Sequence, residues 1–169
     1  GDIKDRNGNI LATSTVVYNM VVDAKMLSKE ENQEYLQPTI DAVVKYFGLN
    51  TDDLKTSIKE HGTTSYWIAQ KDISYDKVKE FKSYCNGDYA KTDLEKKQAA
   101  AVKFIYFERE YKRVYPYDTL ACSVLGFANK NNEANIGIES SYNSYLKGTE
   151  GREYGYMDAD NNIETVIKE

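Results

Sequence analysis

Hydrophobic and polar positions change their spacing along the chain, and these changes predict a mixture of strands and helices. Residues 15–22 carry β-branched and aromatic side chains with few breaks, which is typical of a strand buried on both faces. Residues 104–115 alternate aromatic with charged positions, which predicts a long antiparallel strand with one wet face. The alanine-rich segment before them leaves one alternative open, a helix that continues through Phe107.

Two hairpins are predicted near the ends of the chain. Asn7 and Gly8 form a strong turn signal with apolar residues on both sides, so residues 1–12 should fold as a strand, a turn and a second strand. Apolar residues also flank the polar stretch 158–162. That arrangement predicts a final hairpin after Arg152.

Helical spacing of three and four residues recurs between residues 28 and 101. Ser28 and Glu31 have the spacing of a capping box, which predicts a helix from there to a left-handed C-cap at Gly48. Pro38 lies inside this span, so the helix either begins near Pro38 or kinks there. Three shorter helices are expected to follow, with starts at Thr51, Ser74 and Asp93.

The segment 113–152 combines several signals that end regular structure. Pro116 ends the alternating strand because proline has no N–H group to donate to a sheet. A short helix is predicted after Asp118, and Gly126 lies where the chain turns tightly or approaches other backbone. A second helix is predicted from Ile136 until Gly148 stops it. Its apolar face is expected to contain Ile138, Tyr142, Tyr145 and Leu146.

Two sequence motifs, far apart in the chain, resemble those of one protein family. Residues 1–14 read GDIKDRNGNILATS, and the later segment contains Arg-x-Tyr-Pro, Val-Leu-Gly-Phe and Gly-Ile-Glu-x-x-Tyr-x-x-x-Leu-x-Gly-x-x-Gly. Both resemble the N-terminal dimerisation, or pedestal, domain of class B penicillin-binding proteins; only the leading Arg of the first motif is missing. The positions that carry the resemblance are Asp5, Arg6, Gly8, Arg113, Tyr115, Pro116, Gly126, Gly137, Glu139, Tyr142, Leu146, Gly148 and Gly151.

The resemblance implies an α+β fold, the penicillin-binding protein dimerisation (pedestal) domain, with mixed strands and helices and no transpeptidase domain. This domain would occupy residues 1–169, with discontinuous motif blocks at 1–14 and 109–155 and a helical insertion at 28–103. It would perform no chemistry. Its task would be to position the transpeptidase domain of the parent protein, a serine-type peptidoglycan D,D-transpeptidase that binds penicillin through a domain absent here.

The resemblance also implies partners and a location. The expected partners are the protein's own transpeptidase domain and a membrane-embedded peptidoglycan glycosyltransferase, and the family's name suggests a homodimer. A membrane helix before Gly1 would anchor the protein, and this domain would lie on the extracytoplasmic face of the membrane. No cofactor is implied.

Charged residues persist at motif positions inside apolar surroundings. We therefore hypothesise that Arg6, Arg113 and Glu139 form one shared, partly buried charged junction. The alternative for Asp5 and Arg6 is a solvated pair at the edge of the hairpin turn, which would contribute little.

Composition narrows the classes of function further. The net charge of −5 is spread over both signs, so no nucleic-acid partner is expected. The single histidine, His61, precedes a glycine and is interpreted as a helix C-terminal charge rather than a catalytic base. Cys85 and Cys122 fit no zinc-site spacing, and two structural thiols are favoured over a disulfide. We predict no metal site.

Two Ser-x-x-Lys sequences resemble the nucleophile motif of penicillin-binding transpeptidases, which places a serine near its base. They are Ser74 with Lys77, and Ser144 with Lys147. The second lies within a few residues of Ser141, which begins a Ser-x-Asn sequence, and adjacent turns of one helix cannot surround a substrate carbonyl. No catalytic residue is therefore predicted. The alternatives that stay open are a serine acyltransferase or hydrolase, and a stand-alone secreted binding module.

Overall fold

The computed structural model describes residues 1–118, 122–129, 133–134 and 136–147, and the backbone of residues 153–154 and 167–168. Six strands are present in this part of the chain: β1 (Ile3–Lys4), β2 (Ile10–Val22), β3 (Trp67–Ile73), β4 (Ile105–Val114), β5 (Glu153–Tyr154) and β6 (Ile167–Lys168). The helices are α1 (Ala24–Leu27), α2 (Gln33–Phe47), α3 (Thr51–Glu60), α4 (Tyr75–Cys85), α5 (Asp93–Ala100), α6 (Cys122–Leu125), α7 (Gly137–Ser141) and α8 (Asn143–Leu146).

Strand β2 pairs with three other strands. It runs antiparallel to β1, with Ile3 opposite Ala12, and antiparallel to β3, with Tyr18 opposite Ile73. Strand β4 also pairs with β2. The predicted first hairpin and both long strands are confirmed, and the alternative of a helix through Phe107 is wrong.

The chain divides into two compact units. We call Gly1–Thr15 together with Tyr111–Glu169 the motif unit, and Val16–Glu110 the helical unit. Strands β2 and β4 contribute residues to both units. The fold is a mixture of helices and strands, as the sequence predicts.

An apolar core fills the helical unit. Residues 19–22 are buried without interruption, as a strand covered on both faces requires. One face of α2 packs into this core through Ile40, Val43 and Phe47. The ring of Phe81 lies 5.1 Å from that of Phe47 and 5.6 Å from that of Phe107, centroid to centroid. Each fully buried side chain of this size contributes about 1.5–3 kcal/mol through apolar burial.

The helix start predicted at Ser28 is wrong, whereas the starts predicted at Thr51, Ser74 and Asp93 are confirmed. Ser28 is the C-cap of α1 and not the first residue of a capping box, because Asp23 already starts α1 by accepting from the Met26 amide. Helix α3 begins at Thr51 as predicted, and Asn50 caps it by accepting from the amides of residues 52 and 53. Helix α5 begins at Asp93 as predicted, and Thr92 and Glu95 form a complete capping box there.

Helix α2 begins at Gln33, so Pro38 lies inside it and the alternative start near Pro38 is wrong. The missing N–H group of Pro38 leaves the Glu34 carbonyl without its usual helical donor. The predicted left-handed C-cap at Gly48 is confirmed, with φ of 72°.

The helices of the motif unit are short. The predicted helix from Ile136 is interrupted at Tyr142, which is at once the C-cap of α7 and the N-cap of α8. Strands β5 and β6 pair antiparallel, with Tyr154 opposite Ile167, as the predicted final hairpin requires. Its polar turn at 158–162 and the predicted helix stops at Gly148 and Gly151 lie outside the described residues. None of the described helices combines the length and apolar character that crossing a bilayer needs.

Candidate functional site

The hairpin between β1 and β2 is organised by the carboxylate of Asp5. Its Oδ1 accepts from the backbone amides of Asn7 at 2.8 Å and Asn9 at 2.9 Å, and its Oδ2 accepts from the Asn9 side chain at 2.8 Å. These bonds, with the Asn9 side chain first, hold the pKa of Asp5 below its usual value. Gly8 has φ of 86°, a backbone conformation that is unfavourable for any residue with a side chain. Asp5 and Gly8 therefore build the turn.

A buried ion pair forms the centre of the motif unit. Arg113 near the end of β4 donates from Nε to Oε1 of Glu139 in α7 at 2.8 Å, and the two side chains are only 6% and 2% exposed. Nη1 of Arg113 donates to the Gly1 carbonyl and to Ser14 Oγ, the latter at 3.2 Å. One guanidinium thus connects both arms of the first hairpin to helix α7. We call Arg113, Glu139, Tyr115 and the atoms they bind the charged junction.

Tyr115 completes the charged junction. Its hydroxyl donates to Glu139 Oε1 at 3.3 Å and accepts from the Ala128 amide at 2.9 Å. Burial is the main reason that the pKa of Tyr115 is raised, so its hydroxyl stays protonated at neutral pH. The phenol therefore links the segment after α6 to the ion pair.

Two motif glycines allow α6 and α7 to touch through their backbones. Gly126 has φ of 72°, and a Cβ atom there would collide with the Ile136 carbonyl. Gly137 has φ of 69°, and a Cβ atom there would lie 2.5 Å from the Val124 carbonyl oxygen. Both positions therefore exclude any side chain. The predicted close approach at Gly126 is confirmed, and its partner is the start of α7.

Gly1 packs on α8, the last described helix of the motif unit. The Gly1 amino group donates to the Leu146 carbonyl at 3.1 Å, and a Cβ atom at Gly1 would lie 3.1 Å from Leu146 Cδ2. Thr13 Oγ1 donates to Asp2 at 2.7 Å across the hairpin. Gly1 therefore contacts α8 at the end of the hairpin that lies away from its turn.

Arg6 does not take part in the charged junction. It is exposed and forms no ion pair with any of the described residues. Its place explains why: Arg6 lies in the turn beyond the paired residues Lys4 and Ile10, whereas Arg113 binds at the opposite end of the hairpin, at Gly1 and Ser14. The hypothesised junction of Arg6, Arg113 and Glu139 is therefore corrected: Arg113 and Glu139 remain and Arg6 does not belong to it.

The remaining motif positions have different surroundings. Pro116 is exposed directly after Tyr115, and Tyr142 is exposed with its ring 6.2 Å from that of Tyr145. Ser14, the Gly1 carbonyl and the Ala128 amide also bind the charged junction, and no motif indicated them. Two of these three are backbone groups, which no residue pattern can reveal.

The two Ser-x-x-Lys sequences do not have the geometry of a catalytic serine and its base. Ser74 is the N-cap residue of α4 and Ser144 lies in α8; both are exposed, and in the described part of the chain neither hydroxyl bonds its lysine. Cys85 and Cys122 are free thiols, and burial raises the pKa of Cys85 to about 11, so its thiolate is scarce. Within the described ranges no three acidic, histidine or cysteine side chains cluster as a metal site would need.

His61 is explained by local packing. Its Nδ1 lies 2.9 Å from the Ser57 carbonyl, and its ring stacks on Trp67 with the centroids 4.8 Å apart. It is the C-cap residue of α3, which is the helix C-terminal position predicted for it.

The family model of the penicillin-binding protein dimerisation domain matches residues 1–169. The chain is 27% identical over 171 residues to a probable peptidoglycan D,D-transpeptidase, PenA, of Neisseria gonorrhoeae, covering 96% of this chain and 24% of that protein. This chain therefore spans about a quarter of the length of that relative.

Solved structures share the fold. Penicillin-binding protein 2X from Streptococcus thermophilus matches with a TM-score of 0.67 and 24% identity, over 100% of this chain and 26% of that one. A complex between penicillin-binding protein PBP2 and MreC from Helicobacter pylori contains a chain that matches with a TM-score of 0.51 and 20% identity, over 99% of this chain and 31% of that one.

Proposed function

The chain belongs to the family of penicillin-binding protein dimerisation domains, and from this premise we propose that it is a non-catalytic support. In this proposal it positions the transpeptidase domain of a class B penicillin-binding protein and docks partner proteins during peptidoglycan synthesis. The parent protein is a serine-type D,D-transpeptidase, anchored by one membrane helix, with this domain on the extracytoplasmic side. Motif blocks 1–14 and 109–155 form the support, and 28–103 is its helical insertion.

The observation that carries the proposal is the buried charged junction. Arg113, Glu139 and Tyr115 join the first hairpin, the end of β4, the segment at Ala128 and α7 through directional bonds. A support must hold its elements at fixed distances, because misplacement of an active site by about 1 Å is costly to catalysis. A cluster of charged and backbone groups fixes such distances better than a flexible tether.

Exposed apolar side chains in the same unit support a docking role. They come from α6, α7, α8 and the residues beside them, and they are Val124, Phe127, Ile136, Tyr142 and Tyr145. Large exposed apolar groups on one part of a protein mark interaction sites. We infer that the transpeptidase domain covers part of this surface, and that a peptidoglycan glycosyltransferase or a second copy of the chain uses other exposed surface. The fold shared with a PBP2 that was solved in complex with MreC is consistent with protein partners.

The absence of chemistry in this chain can be tested directly. The 169-residue chain and the full-length parent would each be incubated with a fluorescent penicillin and analysed by denaturing electrophoresis. We expect covalent label on the parent alone. Label on the isolated chain that disappears in Ser74→Ala or Ser144→Ala would support the rival serine enzyme and overturn the proposal.

The positioning role needs a test in the full-length parent. Phe127→Ser should weaken contact with the transpeptidase domain, so calorimetry should resolve two melting transitions where the unaltered protein shows one. Tyr66→Ser, at an equally exposed position of the helical unit, is the matched control. Identical traces for Phe127→Ser and the unaltered protein would contradict the assigned contact.

A further inference from the structure

The helical unit contains a cavity that the proposed support role does not use. Its volume is about 700 Å³, and α2, α4, α5 and the connection between α4 and α5 line it. Ligand sites in proteins have volumes of about 300–1,000 Å³. Tyr89, one of the lining residues, is 57% exposed, so a ligand can reach the cavity from solvent.

The aromatic wall of this cavity is held in place by the core. The Tyr46 ring lies 5.8 Å from Phe81 in an edge-to-face arrangement and 5.2 Å from Tyr84. Phe81 is fully part of the apolar core. The two tyrosine rings are therefore fixed before any ligand arrives, which lowers the entropic cost of binding.

The connection that carries Tyr89 is also ordered by specific bonds. Gly87 has φ of 79°, and its carbonyl accepts from the Ala90 amide at 3.0 Å. Glu95 Oε2 accepts from the amides of Lys91 at 2.6 Å and Thr92 at 3.0 Å. The wall opposite the core is thus built by a turn and a capping box and is not a loose loop.

Polar groups of both kinds surround the aromatic surface. The Lys45 ammonium lies 5.2 Å from the Tyr46 ring centroid and 5.3 Å from the Tyr84 centroid, and it makes no ion pair among the described residues. Its N–H groups therefore remain available as donors. Glu80 and Glu95 supply carboxylate acceptors, and Gln98 supplies both a donor and an acceptor.

The balance of these groups selects the charge of the ligand. An anion would meet the carboxylates of Glu80 and Glu95, and a cation would meet the ammonium of Lys45, which already occupies the tyrosine faces. An uncharged molecule with many hydroxyl groups avoids both conflicts. Its hydroxyls can donate to the carboxylates and accept from the ammonium and the amide, while a C–H face lies on the exposed ring of Tyr89, which Lys45 does not cover.

We propose that this cavity of the helical unit is a binding site for an uncharged sugar segment of a glycan. The site is separate from the charged junction and involves no covalent step. It would let the domain hold a carbohydrate chain while the rest of the protein acts elsewhere.

The probe for this proposal is chitotetraose, an uncharged tetramer of N-acetylglucosamine, titrated into the ¹⁵N-labelled 169-residue chain. We expect saturable shifts of the amide signals of Tyr46, Tyr84, Tyr89 and Gln98. Loss of one stacking ring in Tyr89→Ala should weaken the affinity about fivefold. Tyr66→Ala removes a tyrosine that is 53% exposed outside the cavity and should leave the affinity unchanged.

Two results would overturn the proposal. One is the absence of saturable shifts at these residues up to about 10 mM sugar, a concentration that would reveal even a millimolar site. The other is saturation of the same residues by a lysine-rich peptide and not by the sugar, which would make the cavity a site for a basic protein segment. Unchanged amide signals of the core residues Val43 and Ile58 in the free Tyr89→Ala variant would show that any loss of binding does not arise from misfolding. Neither result bears on whether the domain positions a transpeptidase.

Discussion

The two units of this protein achieve order by different means. In the helical unit the largest buried side chains are apolar, among them Met20, Leu27 and Ile40. In the described part of the motif unit the largest fully buried side chain is a carboxylate, that of Glu139, and the main buried apolar side chain is Leu125. The helical unit therefore depends on volume and apolar area, whereas the motif unit depends on directional bonds and close backbone contact.

This difference predicts how each unit responds to substitution. Apolar cores accept changes that conserve volume and lose stability in proportion to the atoms removed. A buried ion pair tolerates little, because removal of one partner leaves the other charge unpaired in a medium of low polarity. In the charged junction Nη2 of Arg113 is buried and has no hydrogen-bond partner among the residues that the structure describes, so no acceptor there can replace Glu139.

The largest effect is expected at the contact between α6 and α7. Gly126→Ala should lower the free energy of unfolding of the motif unit by more than about 4 kcal/mol. The new methyl group would overlap the Ile136 carbonyl, so the backbone would have to move. The measurement is native-state hydrogen exchange at the Ala128 and Tyr142 amides, which are both bonded inside this unit.

Gly48→Ala is the matched control for this substitution. Gly48 has the same φ of 72°, but nothing lies within 4 Å of its missing Cβ atom. Gly48→Ala should therefore lower the free energy of unfolding by only about 1–2 kcal/mol, the penalty that a left-handed backbone conformation imposes on a residue with a Cβ atom. Equal losses in the two variants would mean that backbone conformation, and not the close contact, explains the glycine at 126.

The next largest effect is expected from the ion pair. Glu139→Ala should reduce the free energy of unfolding of the motif unit by about 3–5 kcal/mol, because it leaves the guanidinium of Arg113 buried and uncompensated. Native-state hydrogen exchange at the Ala128 amide would measure this loss in the free energy of unfolding. The exposed Glu30→Ala is the surface control, and its change should stay within about 0.5 kcal/mol.

A double variant sharpens this test. Arg113→Met combined with Glu139→Leu removes both charges, and such replacements of buried pairs by apolar residues are often neutral in stability. We expect the double variant to recover most of the loss seen in Glu139→Ala. If the single variant melts like the Glu30→Ala control, the charged junction does not hold the motif unit together.

A smaller effect is expected for a conservative change in the helical unit. Ile40→Val removes one methylene group from a fully buried position and should cost about 1 kcal/mol. The change would be followed through the fluorescence of Trp67 during urea unfolding. Glu139→Gln, an equally conservative change in the motif unit, should cost more, since it removes a charge from the partner of Arg113. The reverse order would contradict the contrast between the units.

The helices and strands of this chain are more predictable from its sequence than the contacts between them. The run at 15–22 and the alternation at 104–115 identified β2 and β4, because the period of a strand is written in its own residues. Ser28 was misassigned because α1, a helix of only four residues, precedes it and uses it as a C-cap. Its short length gives too few positions for a period to be recognised.

The candidate site was predictable in part, for reasons that differ between residues. Arg113 and Glu139 were recognisable as charges at motif positions, and the structure places them together. The position of Arg6 depends on where the hairpin turns relative to Arg113, which is a matter of strand register. The tyrosine cavity was not recognised, since its lining residues come from three helices and a connection whose packing no local pattern encodes.

The smallest effect is expected at the hairpin turn, where it depends on pH. The pKa of Asp5 is lowered in the folded chain by bonds from the Asn9 side chain and the turn amides. A lowered folded-state pKa stabilises the fold above the unfolded value of about 4 and loses that contribution as pH falls through the folded value. Native-state hydrogen exchange at the Asn9 amide should therefore show protection that declines below pH of about 4.

The control variant is Asp5→Asn, which keeps an acceptor oxygen but cannot titrate. In this variant the protection of the Asn9 amide should not change with pH in this range. Because the turn is exposed and lies away from the charged junction, the Ala128 amide should respond to neither change. A parallel decline at Ala128 would mean that the hairpin turn and the charged junction open together, and the motif unit would then be one cooperative structure instead of a rigid junction with a separately stabilised turn.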